Sequence, residues 1–510
     1  MRLSELIDGT AVEAVRGDAE VEIADLAYDS ERVGPGALFF CVRGMSSDGH
    51  EFAPDAVARG AAALVVEREL DLAVPQVVVS DVRAAMGPLA VRFWGDPTAE
   101  LSVAGITGTN GKTTTAFLLR GILEADGRQT GLLGTVKRIV GGREEEVVRT
   151  TPEAIDLQAT FRRMVDGGDV ACVMEVSSHA LALGRSAGIS FDAKGFTNLT
   201  QDHLDFHSDM EDYFGAKRTL FWGGAEAGAS APGASVSPGV AVINIDDRYG
   251  ERLAAELREA GAEPFTFSAS GAEADVRAED VECDTAGTRF RCIAAEGEDV
   301  WVELPLPGHF NVENALAALA CASALGIGIG RAASALSGAG RVPGRFEPVD
   351  EGQPFTVLVD YAHTPDSLDN VLRAARALTG ERVICVFGCG GDRDREKRPL
   401  MGRIGAELSD VCVVTSDNPR SESPGAIIAQ ILDGIPKRDG VQVEPDRRAA
   451  IALALEVARP GDTVVIAGKG HEQGQEFERG RKIAFDDREV AGEALRRRPQ
   501  ATRRARATSA

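Results

Sequence analysis

The run Gly108-Thr109-Asn110-Gly111-Lys112-Thr113 constrains this chain more than any other segment. It lies between the short apolar stretch Leu101 to Ile106 and the run Thr114 to Leu119, which reads as a helix. Strand, glycine-rich turn, lysine, hydroxyl and helix, in that order, make a phosphate-binding loop. Such a loop closes backbone N–H groups around phosphate oxygens, and the helix N-terminus adds its dipole. Lys112 then reaches the outer phosphates and the Thr113 hydroxyl holds Mg²⁺. The general pattern G-x-x-x-x-G-K-S/T wants glycine at position 106, where this chain has Ile106. A glycine-rich turn with a chance lysine is the alternative, and the flanking strand and helix weigh against it.

Other segments repeat one design: a short β-branched apolar run that stops at a polar residue or glycine. Val170 to Met174 stops at Glu175, Val240 to Ile243 at Asn244, and Phe355 to Val359 at Asp360. Val383 to Phe387 stops at Gly388, Val411 to Val414 at Thr415, and Thr463 to Ile466 before Gly468. Continuous rather than alternating apolar runs mean strands buried on both faces, hence α/β units with parallel sheets. Ligands of such sheets sit beyond the carboxyl ends of the strands, where these polar residues lie.

At 510 residues the chain exceeds one core, and about three domains are expected. We expect a small α/β domain over 1–97, ending near Gly95-Asp96-Pro97-Thr98. A central phosphate-loop domain follows over 98–340, and a Rossmann-like domain over 341–495. Residues 223–239, rich in Gly, Ala, Ser and Pro, read as a flexible insertion. Residues 496–510 carry six arginines among small residues and read as a disordered basic tail.

The formal net charge of −24 disfavours nucleic acid and anionic membranes as partners. Isolated Lys and Arg residues in motifs therefore stand out. The eight cysteines include no CxxC pair, and Cys172, Cys385 and Cys412 sit in apolar runs as core thiols. Met1 to Leu6 lacks the charge and apolar block of a signal peptide, and no apolar run is long enough to span a bilayer. A reduced, cytoplasmic protein is the expectation.

Glu175, at a strand end near the phosphate loop, reads as a second Mg²⁺ ligand or as a helix N-terminal residue. In the run Thr197 to His207, His203 and His207 stand four apart, a spacing that suits zinc. No HExxH is present and oxygen ligands dominate the surroundings, so Mg²⁺ fits better. Lys217 alone reads as a surface lysine. Asn311 and Asn314 share one helix face, to read a base edge or to cap the helix.

The pieces GTNGKTTT, MEVSSHAL, FTNLTQDHLDFH, DYFGAKRTLF, LPGHFNVENALAA, VPGRFE, DYAHTPDSL, GCGGDRDREKRP and SDNPRSE follow in order along nearly the whole chain. With them the chain resembles the Mur ligases, ATP-dependent amide-forming enzymes of peptidoglycan precursor synthesis. The run Asp417-Asn418-Pro419-Arg420 resembles members that add meso-2,6-diaminopimelate, rather than L-lysine, to UDP-N-acetylmuramoyl-L-alanyl-D-glutamate.

The resemblance implies roles for particular residues. Gly108, Thr109, Asn110, Gly111, Lys112, Thr113 and Thr114 would hold the ATP phosphates. Thr113 and Glu175 would share one Mg²⁺. His203 and a carbamylated Lys217 would serve a second, carbamylation turning a cation into a carboxylate-like ligand. Lys112, Glu175, His203 and Lys217 would thus be the catalytic set. Asn311 and Asn314 would face adenine, Arg345 the γ-phosphate, Asp360 the ribose, and His363 would lie near the phosphates. Ser30 would contact uridine, and Thr150, Thr151, Ser177 and Arg185 the muramoyl-dipeptide. Arg393, Asp417, Asn418, Arg420, Gly468 and Glu472 would form the diaminopimelate pocket. There a guanidinium can grip the distal carboxylate bidentately, and Glu472 can hold the distal ammonium. A site built around a required charge rejects the analogue lacking it.

The implied reaction is a two-step ligation through an acyl phosphate, by a monomer. The rivals are an L-lysine-adding form, a folylpolyglutamate-type ligase, and a non-catalytic nucleotide-binding regulator. The uridine-binding first domain disfavours the second. Intact Lys112, Glu175, His203 and Lys217 disfavour the third.

Overall fold

The computed structural model describes all residues except 45–46, 148, 223–235, 296, 438 and 499–510. The apolar runs form strands as expected, in three main sheets. A five-stranded sheet is built from segments between Ala14 and Val78. Its strand Ala63–Val66 lies between Ala37–Phe40 and Gln76–Val78, all parallel. A 6-stranded sheet spans Glu347–Pro348 to Thr463–Ala467 and is parallel except at its first edge strand.

Between these in sequence lies an 11-stranded sheet. Ser102–Thr107 sits inside it, flanked by Ala171–Glu175 and Ala193–Phe196, both parallel to it. Every residue of Ala171–Glu175 is buried, which is why that run carries no polar alternation. Three carboxyl ends therefore converge on one edge and carry the loops after Thr107, Glu175 and Phe196.

The far side of this sheet was not anticipated. Val276–Cys283, Thr288–Ala294 and Asp299–Leu304 add an antiparallel extension. Phe290, Cys292 and Ala294 point inward while Arg289 and Arg291 point out. That period-two alternation is present in the sequence, unlike the continuous apolar runs of the parallel strands.

The helix Phe310–Ala324 is buried on nearly every side and packs against the helix Lys112–Ala125 in the largest core cluster. A helix apolar all round belongs inside a core. No helix among the described residues is long and apolar enough to cross a membrane. All eight cysteines are free, and only Cys283 is exposed.

The tail expectation needs correction at its start. The helix Asp487–Arg497 runs through Arg496 and Arg497. Arg496 pairs with Glu351, and Arg498 Nη2 donates to the Ala458 carbonyl at 2.7 Å. A carboxylate and a carbonyl hold these two arginines in place. The rest of the tail, and positions 223–235 of the expected insertion, lie outside the described residues. Ser237, beyond that gap, accepts from the buried Lys194 Nζ at 2.8 Å.

Candidate active site

Two glycines shape the loop after Ser102–Thr107. Gly108 has φ +144°, and a Cβ there would lie 1.9 Å from Thr197 Oγ1. Gly111 has φ +85°, and its Cβ would lie 2.3 Å from Asn314 Oδ1. Only glycine permits both the conformation and the approach. The helix then begins at Lys112 with Gly111 as its N-cap.

The loop differs from expectation in which amides it offers. Thr109 N donates to the Asn198 carbonyl at 2.8 Å and Asn110 N to Asn198 Oδ1 at 2.9 Å. Asn198, from the loop after the neighbouring strand, takes up both. The amides without an intrahelical acceptor are those of the first helical turn, at Lys112, Thr113 and Thr114. Lys112 Nζ curls back onto the carbonyls of Gly108 and Thr109, at 2.9 and 2.8 Å.

Thr113 and Glu175 meet as expected. Thr113 Oγ1 donates to Glu175 Oε1 at 3.0 Å. Thr135, unforeseen from the sequence, donates its N–H to Glu175 Oε1 at 2.7 Å and its hydroxyl to Oε2 at 3.1 Å. Arg345 Nη2 donates to Thr113 Oγ1 at 3.0 Å. Its guanidinium lies 4.5 Å from the Tyr361 ring centroid, and its Nε is buried with no hydrogen-bond partner among the described residues. An orphaned buried donor beside an empty helix turn suits an anion.

These groups line a cavity of about 240 Å³. Its walls include Lys112, Thr113, Glu175, His203 and Lys217 from the central unit, and Arg345, Asp360 and His363 from the C-terminal one. Lys217 is not a surface lysine. It is buried, its Nζ donates to the Gly108 carbonyl at 2.8 Å, and it lies 4.6 Å from the Tyr213 ring centroid. Burial, and then the nearby Lys112 charge, hold its amine well below the usual lysine range. Burial also lowers Lys112.

His203 adopts φ +56° and burial pushes it down to about 3. Its Nε2 is 3.3 Å from Asp202 Oδ2. Asp202 also faces His363 Nε2 at 3.9 Å and Lys397 Nζ at 3.7 Å. Neither Asp202 nor Lys397 was singled out from the sequence. Adjacency to His203 was the one available signal for Asp202. His207 does not join His203 as a ligand pair. It is buried against the His179 and Tyr213 rings, with Nδ1 3.5 Å from Asp212.

Among the described residues no three His, Cys, Asp or Glu side chains form a metal-holding group. The Thr113 and Glu175 oxygens suit Mg²⁺, which takes few protein ligands and fills its shell with water and phosphate oxygens. As an ammonium Lys217 cannot ligate a cation, and as a neutral amine it is a poor ligand for oxygen-preferring Mg²⁺.

The two asparagines divide. Asn314 lines the cavity, whereas Asn311 lies behind it. Asn311 Nδ2 donates to the Pro307 carbonyl at 2.8 Å, and its Oδ1 accepts from Asn314 Nδ2 at 3.1 Å. Asp360 accepts from the amides of Phe346 at 2.6 Å and Ala362 at 2.8 Å, and burial raises it to about 6. His363 Nδ1 is 2.8 Å from the Tyr361 carbonyl.

Thr150 and Ser177 line the same cavity. Thr151 sits just behind, its hydroxyl donating to the Glu175 carbonyl at 2.9 Å. Arg185 Nη1 donates to the Thr151 carbonyl at 3.4 Å, and Nε lies 2.9 Å from Glu153. Ser30 begins the short 3₁₀ turn Ser30–Arg32 in the N-terminal unit, away from this cavity.

Of the six residues expected in the C-terminal unit, Asp417, Asn418, Arg420, Gly468 and Glu472 lie near one another, while Arg393 is exposed and its Nη1 donates to the Asp392 carbonyl at 2.8 Å. A Cβ on Gly468 would lie 2.5 Å from Asp417 Oδ2. Asn418 Nδ2 donates to Glu472 Oε2 at 2.8 Å. Arg420 adopts φ +49°, and its Nε donates to Glu476 Oε2 at 3.0 Å and Nη1 to the Gly391 carbonyl at 2.8 Å. Those contacts leave Nη2 for an incoming group. A Cβ on Gly390 would lie 3.1 Å from Arg420 Nη1 and 3.8 Å from Arg393 Cγ, so the two arginines flank it. Glu476 and the buried Lys469, neither singled out from the sequence, adjoin these residues.

Comparison with known proteins agrees with this architecture. Three family models match in order: "Mur ligase family, catalytic domain" over 22–93, "Mur ligase middle domain" over 106–322, and "Mur ligase, glutamate ligase domain" over 344–470. The chain is 46% identical over 500 residues to the UDP-N-acetylmuramoyl-L-alanyl-D-glutamate--2,6-diaminopimelate ligase of Syntrophomonas wolfei, covering 97% of this chain and 99% of that one. It is also 46% identical over 506 residues to the enzyme of that name from Streptomyces coelicolor, covering 97% and 96%. A solved structure of a ligase with that name superposes with a TM-score of 0.68 at 32% identity, covering 97% and 99%. The folylpolyglutamate synthase of Mycobacterium tuberculosis shares the fold over 76% of this chain and 92% of its own, with a TM-score of 0.59 at 19% identity. The phosphate loop, the paired Thr113 and Glu175, and full-length similarity at this level make the chain a member of the Mur ligase family.

Proposed function

We propose that this chain is an ATP-dependent ligase that joins meso-2,6-diaminopimelate to UDP-N-acetylmuramoyl-L-alanyl-D-glutamate. The observation that carries it is one cavity where Lys112, Glu175 and Lys217 face Arg345 from the C-terminal unit. The relatives named above support the choice of substrates. A monomeric, cytoplasmic enzyme is part of the proposal.

In the first step the D-Glu γ-carboxylate attacks the γ-phosphorus of ATP, and ADP leaves. The first-turn amides and Lys112 hold the phosphates. Arg345, with its free Nε, neutralises charge on the transferred group. Bound Mg²⁺ supplies Lewis-acid neutralisation of the triphosphate at the Thr113 and Glu175 oxygens. The lowered Lys217 amine suits carbamylation, because only a neutral amine attacks CO₂. His203, kept neutral by burial, suits ligation beside it. Asn314 would meet the nucleotide directly and Asn311 would orient it.

In the second step the incoming amine attacks the acyl carbonyl, and the tetrahedral intermediate expels phosphate. Thr150, Thr151, Ser177 and Arg185 orient the dipeptide, and Ser30 holds the distant uridine. Arg420 and Arg393 hold the distal carboxylate, and Asp417, Asn418 and Glu472 the ammonium, beside Gly468. A lysine lacks the carboxylate and would leave the remaining guanidinium donor of Arg420 without its partner, which costs binding.

The test is ADP release with ATP, Mg²⁺, the UDP-muramoyl-dipeptide and either amino acid, with product mass read out. Diaminopimelate-dependent tripeptide formation is expected. Equal use of L-lysine, or ADP release without the dipeptide, would sink the proposal.

A further inference from the structure

Lys469 is fully buried directly after Gly468, and neither step above uses it. Its Nζ donates to Asn418 Oδ1 at 2.9 Å and to Glu472 Oε2 at 2.8 Å, and lies 3.8 Å from Asp417 Oδ1. Glu476 N also donates to Asn418 Oδ1, at 2.9 Å. An ammonium and a backbone amide can only donate, so the Asn418 face they meet must be its carbonyl oxygen. Asn418 Nδ2 is thereby aimed at Glu472 Oε2, the oxygen that Lys469 already holds.

Two donors thus converge on one carboxylate oxygen. The Glu472 side chain is 30% exposed, and these contacts, both to Oε2, leave Oε1 for a further donor. The glycines on either side of Lys469 fit closely: a Cβ on Gly468 would lie 2.5 Å from Asp417 Oδ2, and one on Gly470 2.6 Å from the Gly344 carbonyl.

We infer that Lys469 is a positioning residue for the incoming amino acid, setting the Asn418 amide and presenting Glu472 Oε1 to the substrate ammonium. This rests on the diaminopimelate reading of the pocket. A lysine that merely offsets buried negative charge would support the whole C-terminal unit, and every activity would fall together on its loss. A positioning lysine acts on the second step alone.

The experiment uses the full chain with Lys469→Met. Acyl phosphate formation is read by hydroxylamine trapping with ATP, Mg²⁺ and the UDP-muramoyl-dipeptide, a reaction that needs no diaminopimelate. The hydroxamate rate is expected to stay within about twofold, while KM for diaminopimelate rises about tenfold or more and KM for ATP holds. An unchanged KM for diaminopimelate, or a parallel fall in both rates, overturns the inference. If Lys469→Met does not fold, Lys469→Arg is measured the same way. A guanidinium is longer and its donors are fixed in one plane, so it does not reproduce the compact ammonium's fork onto Asn418 and Glu472, and KM is expected to rise about threefold or more. An unchanged KM in that variant overturns the inference equally. A wild-type chain that forms hydroxamate but joins no diaminopimelate overturns the pocket reading, and this inference with it.

Discussion

Burial and the nearby Lys112 charge make Lys217 a weak base. Its Nζ touches only the Gly108 carbonyl and the face of Tyr213 among its named contacts, with the Lys112 charge nearby. Replacing it with methionine removes a buried polar amine and leaves the apolar stem. Lys217→Met is therefore expected to keep or raise the unfolding midpoint while turnover falls about 100-fold or more. A variant with full turnover would remove Lys217 from the mechanism. Neighbouring residues show why single positions are hard to read in advance. Asp202 gains its role from His363 and Lys397, which lie far along the chain. Lys469 gains its role from Asn418 and Glu472. No motif chemistry marks either one.

The helix Phe310–Ala324 shows the same dependence one level up. A helix carrying Asn311 and Asn314 on one face was legible in the sequence, and both asparagines lie in its first turns. Its first turn carries Glu313, which lines the cavity. Burial raises the Glu313 carboxyl to about 7, and Asp246, Asp366 and Asp247 add to the effect. The folded state therefore holds this proton more tightly than the unfolded state does. Its contribution to stability is greatest at low pH and is lost as pH rises from the ordinary value near 4.5 to about 7. Glu313→Gln is expected to flatten that part of the profile and to gain about 1–2 kcal/mol at pH 8 relative to pH 5, allowing for partial exposure. Urea unfolding of both proteins at the two pH values checks this, and parallel curves would refute it. The three aspartates come from other elements, so the helix sequence alone gives no hint of the shift.

Contacts between units complete the site. Arg83 Nη1 donates to Glu153 at 2.9 Å and Tyr28 Oη to Asp156 at 2.6 Å, tying the N-terminal unit to the helix Ala154–Asp166 and its cap. On the other side Asn110 Nδ2 donates to Asp366 at 2.7 Å, and Arg345 reaches Thr113. Arg345 is thus the C-terminal unit's hand on the phosphate loop. Arg345→Met is expected to lower kcat about 100-fold while UDP-muramoyl-dipeptide affinity, measured by calorimetry, stays within about twofold. Loss of dipeptide binding as well would show that Arg345 shapes more than the nucleotide side.

The strands, the phosphate loop and its helix follow from local physics. A strand buried on both faces needs an unbroken apolar run, and a tight anion-facing turn needs glycine. Those demands are met within a few consecutive residues, so they can be read from order alone. Which loop amides Asn198 takes up, which asparagine faces the cavity, and where Arg345 lands depend on partners from separate sheets. The Arg345–Thr113 contact joins residues 232 apart in the chain. Packing of the three units sets such pairings, and no stretch of neighbouring residues contains that information.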